Sequence, residues 1–189
     1  MSVFKESLLQ AQSLLWELRM NDETVATCED IVSLMVSTIK ARRKIFICGN
    51  GGSHADALHF AEELTGKSRN ERAPIGAIAL GEATHASCVG NDFGFDYVFS
   101  RQLLGLANPG DLLVLLSTSG KSNNLFKAAV AAKEAKVNTV ALLGRTGGVL
   151  KALVDKYVIV PGDTSDRIQE LHMLLLHIIV ERIEQELKC

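Results

Sequence analysis

Residues 44–53, Lys44-Ile45-Phe46-Ile47-Cys48-Gly49-Asn50-Gly51-Gly52-Ser53, pass directly from a short, β-rich apolar run into a glycine-rich turn. A run of this kind, bounded by glycine and asparagine, reads as a buried strand followed by a loop. Similar runs recur at Ile75 to Leu80, Leu112 to Leu116, Thr139 to Leu143 and Tyr157 to Val160, most of them separated by enough chain to hold a helix. That alternation predicts βαβ units. Each run is almost continuously apolar, so both faces of the sheet should be covered. The fold class is therefore α/β, a parallel five-stranded sheet flanked by helices, and ligands should bind at the carboxyl ends of the strands.

Upstream of this stretch, Leu8, Leu9, Ala11, Leu14, Leu15, Leu18, Val25, Ile31, Val32, Leu34, Met35 and Ile39 recur at helical spacing. They predict two helices between about Ser2 and Arg42, with polar capping groups at Met20-Asn21-Asp22. Residues 1–43 are thus an N-terminal helical extension. The final segment, Thr164 to Leu187, reads as one long helix with Ile168, Leu171, Leu175, Ile178, Ile179 and Ile183 as its apolar stripe. The 189 residues, 47% of them hydrophobic, suit one domain spanning 1–189 with a well-filled core.

A net charge of -2 with interspersed lysines and arginines shows no basic face for nucleic acid. An anionic ligand must then be held locally. No apolar stretch approaches the length of a membrane span. Cys28, Cys48, Cys88 and Cys189 are widely spaced and form no CxxC pair. With no signal-peptide pattern at the N-terminus, a reducing cytoplasm is the expected compartment.

Two loops and two helices carry candidate chemistry. In Leu116-Ser117-Thr118-Ser119-Gly120-Lys121-Ser122, a strand leads into the helix from Asn123 to Lys136. The free N–H groups and positive dipole end of such a helix bind phosphate without a basic patch. Ser117, Ser119, Ser122 and the Gly120 amide are the chosen donors, and a plain helix cap is the alternative. In Gly49-Asn50-Gly51-Gly52-Ser53, glycines permit close approach of backbone to a ligand, or simply a tight turn. The loop is neither a dinucleotide fingerprint, since His54 occupies the third glycine position, nor a Walker A sequence.

On the helix His54 to Thr65, His59 and Glu63 lie four residues apart and share a face, suiting a proton-transfer or ligand pair as well as a solvated ion pair. The last helix adds Gln169, Glu170, His172 and His177. Gln169 and His177 are separated by about 12 Å along the axis, so one small centre should not receive both from the same copy. If both reach one site, a subunit interface must supply them.

Taken together, Cys48-Gly49-Asn50-Gly51-Gly52-Ser53-His54, His59-Phe60-Ala61-Glu62-Glu63-Leu64-Thr65-Gly66, Val89-Gly90-Asn91-Asp92-Phe93-Gly94-Phe95, Ser117-Thr118-Ser119-Gly120 and Arg167-Ile168-Gln169-Glu170 resemble the bacterial sedoheptulose 7-phosphate isomerases, of the sugar-isomerase (SIS) domain family. The resemblance runs in order from about Lys44 to the last helix. It implies a flavodoxin-like fold, a homotetramer with active sites at subunit interfaces, and conversion of a ketose phosphate to an aldose phosphate on the route to ADP-heptose and lipopolysaccharide.

By the same resemblance Glu63 and His177 are catalytic, while His59, Glu63, Gln169 and His177 match zinc ligands. Ser53, Ser117, Thr118, Ser119 and Ser122 match phosphate contacts. Asn50, Asp92 and Asp166 match residues lining the sugar, with Gly51, Gly52, Asn91, Glu63 and Gln169 also on the substrate side. The segment Gly66-Lys67-Ser68-Arg69 departs from the Gly-Arg-Tyr form of the family and leaves the role of Lys67 open. An isomerase of another phosphosugar and a non-catalytic relative that binds the replication initiator are the alternatives. The presence of all four of His59, Glu63, Gln169 and His177 favours an enzyme.

Overall fold

The computed structural model describes residues 2–188, so Cys189 lies outside them. Strands β1 (Ile45–Gly49), β2 (Ala77–Ala79), β3 (Leu112–Ser117), β4 (Asn138–Gly144) and β5 (Lys156–Val160) form a single sheet in the order β2-β1-β3-β4-β5. All four ladders are parallel, with Gly49 opposite Leu116 at the end of the β1–β3 pair. The helices are α1 (Val3–Arg19), α2 (Asp22–Lys40), α3 (Gly52–Thr65), α4 (Ala83–Asp92), α5 (Val98–Leu106), α6 (Asn123–Glu134) and α7 (Ser165–Leu187).

The strand period of two divides the core into two layers. Ile45, Ile47, Leu112, Val114, Leu116, Val140 and Leu142 pack with α2, α3 and α7 on one face. Phe46, Cys48, Leu113, Leu115, Ala141 and Leu143 pack with α4, α5 and α6 on the other. Each such side chain contributes about 2 kcal/mol of burial, so the apolar runs favour a sheet covered on both sides.

Several elements depart from their sequence expectation. The run Ile75 to Leu80 yields only three residues of ladder, because β2 is an edge strand preceded by Pro74 and Gly76, which weaken pairing. The two helices α4 and α5 both fill the β2–β3 connection, whereas β4 reaches β5 through no α-helix at all. Helix α3 starts two residues earlier than expected, at Gly52, with Gly51 at φ 56° as its cap. On α7, Ile178 is exposed, and Leu176 and Val180 take the buried positions beside Ile168, Leu171, Leu175, Ile179 and Ile183.

Helices α1 and α2 are split as expected at Asn21, whose side chain accepts from the Thr24 N–H. Of the apolar positions of α1, however, only Leu18 is buried, and Phe4, Leu8, Leu9, Leu15 and Trp16 are exposed. Among the described residues no helix is long and apolar enough to cross a membrane. The strand order reverses direction between β1 and β3, and the crevice outside their carboxyl ends is where such a sheet binds ligands.

Candidate active site

The loops following β1 and β3 meet at that crevice. A pocket of about 280 Å³ is lined by Asn50, Gly51, Gly52 and Ser53 from the first loop, Ser117, Thr118, Ser119 and Ser122 from the second, and Ser165 and Gln169 from α7. Three helix starts, those of α3, α6 and α7, therefore point at one small volume. Each directs the positive end of a helix dipole into it, and together they suit a dianion.

The local chemistry leaves hydroxyl protons available to a ligand, since Ser53, Ser117 and Ser119 act as acceptors within the chain. Ser122 caps α6 by backbone position, but its side chain makes no capping bond, which disfavours the plain-cap alternative. The Gly120 N–H donates to Ser117 Oγ at 2.9 Å, so this amide is engaged within the loop and is not the open donor expected of it. Gly120 sits at φ 66°, and a Cβ there would overlap the carbonyl of Gly147. Asn50 and Asn124 exchange amide hydrogen bonds of 3.0 and 2.8 Å, tying the two loops together. At Gly52 a Cβ would come within 2.6 Å of the Gln169 amide, whose nitrogen donates to Ser53 Oγ at 3.3 Å.

A second constellation lies further along α3 and α7. His59 Nε2 and His177 Nε2 each stand 3.8 Å from Glu63 Oε1, and the two rings meet edge to face at 5.1 Å. Glu63 is largely buried while both imidazoles are nearly half exposed. Its Oε1 also accepts from Ser68 Oγ at 3.4 Å, whereas the buried Oε2 has no partner. One turn before His59, burial raises the Asp56 carboxyl above its usual range, with His59 pulling the other way.

Donor atoms of His59, Glu63 and His177 all lie within 4.8 Å of one another. Two imidazoles and a carboxylate with an unpartnered buried oxygen are a donor set that fits Zn²⁺. Gln169 does not join them within this chain. Its amide lies against Ser53, because eight residues of α7 separate it from His177.

Between the two regions α7 carries His172, fully buried, with neither ring nitrogen in a hydrogen bond of good geometry. Burial pushes its imidazole down to about 4, opposed in part by the main chain of Leu143. The remaining expected sugar-side residues stand outside the serine pocket. Asp92 ends α4 on the surface, accepting from Asn91 Nδ2 at 2.8 Å and Cys88 Sγ at 3.6 Å. Asp166 is exposed in the first turn of α7, held below the usual carboxylate range by the Thr164 hydroxyl and the Arg167 N–H. Lys67 is exposed.

Ser165 and Asn124 were not evident as site residues in the sequence. Asn124 stands two positions after Ser122 at a helix start, a signal that was available; Ser165 becomes a pocket residue only because α7 packs over β4 and against α3, which sets its Oγ 3.2 Å from Thr118 Oγ1. A larger cavity of about 690 Å³, between α1 and the loops after β4 and β5, contains neither the serines nor the imidazoles.

A parallel 2-1-3-4-5 sheet with a serine-lined pocket at its switch point and a histidine–carboxylate cluster on the adjoining helices defines a doubly wound α/β domain with a ligand site at its strand ends. The chain belongs to the SIS domain family, whose pattern matches residues 10–144. It is 44% identical over 186 residues to the phosphoheptose isomerase of Vibrio cholerae, covering 98% of this chain and 97% of that protein. Among solved structures, the phosphoheptose isomerase of Neisseria gonorrhoeae superposes with a TM-score of 0.90 at 36% identity, covering 96% of this chain and 97% of that one. That of Francisella tularensis gives 0.87 at 32%, covering 98% of this chain and 100% of its own. Within the SIS family, then, the chain groups with the phosphoheptose isomerases.

Proposed function

We propose that the protein is an aldose–ketose isomerase that converts D-sedoheptulose 7-phosphate to D-glycero-D-manno-heptose 7-phosphate, the first step towards ADP-heptose. The convergence of Glu63 with His177, from segments more than one hundred residues apart, carries this reading. Full-length similarity to phosphoheptose isomerases supports the choice of sugar.

The serine pocket binds the phosphate, with Ser53, Ser117, Thr118, Ser119 and Ser122 as donors. Asn50, Gly51, Gly52, Asn91, Asp92, Asp166 and Gln169 serve the sugar side. One member of the Glu63–His177 pair takes a proton from C1 and returns it at C2; the other moves a proton between O1 and O2, through an enediol. No net oxidant is needed, since C1 and C2 exchange oxidation levels. His59, Glu63 and His177 would hold a Zn²⁺ through one donor atom each, leaving the second carboxylate oxygen of Glu63 and the second ring nitrogen of His177 for proton transfer, with Gln169 able to join only from another copy. When bound, the ion supplies Lewis-acid polarisation of the carbonyl and stabilises enediolate charge.

Along α3, Ser53 and Glu63 are separated by about 15 Å, so pocket and cluster of one chain are poorly placed for one small substrate. This spacing supports an active site shared between copies of a homotetramer. The exposed apolar side chains of α1 and the half-exposed imidazoles offer surfaces for such assembly. The compartment proposed is the cytoplasm.

Incubation with sedoheptulose 7-phosphate, followed by NMR, should show the aldose phosphate forming. Turnover only of a hexulose phosphate would replace the heptose assignment, and no turnover of either would remove the enzyme reading. Mixed oligomers of Gln169→Ala and His177→Ala chains should regain part of the activity each lacks. Chelation should abolish turnover and Zn²⁺ restore it; full activity of metal-free protein would exclude a metal requirement.

A further inference from the structure

A buried polar network lies beyond the cluster and pocket, at the far end of α3. Arg72 and Glu184 form an ion pair at 3.1 Å with side chains only 2% and 1% exposed. The guanidinium also donates from Nη2 to the Glu63 carbonyl at 2.6 Å and from Nη1 to the Leu64 carbonyl at 2.7 Å. Both carbonyls belong to the last turn of α3, which has no intrahelical donors for them and where a cation complements the helix dipole; that of Leu64 also accepts from the Ile75 N–H at 3.0 Å. Glu184 Oε2 accepts from the main-chain N–H and side-chain amide of Asn70, both at 3.2 Å. The network is almost fully satisfied on both sides of the pair.

Its placement follows from helix geometry. Glu184 lies seven residues, two turns, beyond His177 and so on nearly the same face of α7. Arg72 therefore grips the backbone of Glu63 with one edge and the helix bearing His177 with the other. The intervening loop carries Ser68, which bonds Glu63 Oε1, and Arg69, which pairs with Glu181 of α7 at 2.6 Å. A buried ion pair is weak evidence for stability, since apolar residues of like volume serve as well or better. What it supplies here is a fixed register between two helices.

We propose that Arg72 is a positioning residue for the isomerisation, setting the distance between Glu63 and His177 through Glu184. This rests on the isomerase reading above. Removing Arg72 alone strands a buried carboxylate and risks unfolding, so two milder variants form the test. In Arg72→Lys the charge remains but a point cation cannot hold two carbonyls and a carboxylate together. In the double variant Arg72→Met/Glu184→Leu the whole pair becomes apolar.

Steady-state kinetics with sedoheptulose 7-phosphate and thermal unfolding are measured for both, beside the wild type. For the double variant, kcat should fall by about 10- to 100-fold while the unfolding temperature is kept, the range expected from a small misplacement of reacting groups. KM should stay within about threefold, because separate segments build the serine pocket. Arg72→Lys should recover part of the lost kcat. A folded variant with wild-type kcat, or one losing KM and kcat in step with its stability, overturns the proposal. If the double variant is unfolded, Arg72→Lys decides by the same criteria, and unfolding of both would show a purely structural role. An inactive wild type overturns the isomerase reading itself, and the positioning role with it.

Discussion

The serine pocket and the histidine–glutamate cluster sit on the same two helices and are built on opposite principles. The pocket is made of loop amides, hydroxyls and three helix starts, with no ionisable group among its lining residues. The cluster is made of ionisable side chains, one of them largely buried, from segments brought together by helix packing. Holding a constant charge needs donors that do not titrate; moving protons needs groups that do. Under the proposed function the difference makes anchoring and chemistry separable, and mutations should separate them.

The largest effect is expected at the cluster. Glu63→Gln should lower kcat by about a thousandfold, within the span of general acid–base effects, and leave substrate affinity within about threefold. Single-turnover NMR and calorimetric titration of the substrate check the two halves. Comparable losses in both would break the separation.

His172 lies between the two regions and reports on their shared scaffold. Its folded pKa of about 4 lies below the unfolded value, so the unfolded chain binds more protons between them. The neutral imidazole's contribution is complete above about pH 6.5 and is lost as the pH falls through 4, a change of about 3 kcal/mol. Urea unfolding at pH 7 and pH 4.5 should show this loss, and His172→Leu should remove most of it. An unchanged pH dependence in that variant would exclude His172 as its source.

Gly120→Ala tests the pocket. A Cβ would strain the positive φ and strike Gly147, costing about 2 kcal/mol of stability and raising KM more than it changes kcat. Denaturant titration and kinetics measure both. The smallest effect is expected for Ser122→Ala. Loss of one hydrogen bond to a charged group should raise KM about tenfold with kcat within twofold, since that hydroxyl caps nothing. A fall in kcat alone would move Ser122 from anchoring to chemistry.

Much of this was readable in the chain before folding. The apolar runs around Phe46, Val114 and Leu142 determined a covered parallel sheet, because burial on both faces leaves no polar alternation. The loops Gly49 to Ser53 and Ser117 to Ser122 marked the pocket at the strand ends, because their polar groups are contiguous and follow strands. Periodicity misjudged Ile178 and most of α1, whose apolar side chains face solvent in the monomer. It records that a helix has an apolar side and says nothing of what covers it.

Only the tertiary structure decided which distant groups meet. His59 and Glu63 share a face by their spacing alone, but the parallel packing of α7 against α3 set His177 beside Glu63 and left Gln169 with Ser53. The same packing buried Arg72 against Glu184 and two backbone carbonyls, contacts that no local pattern around either residue signals. Local chemistry is written in neighbouring residues, whereas proximity across more than one hundred positions is fixed by how two helices settle on a sheet.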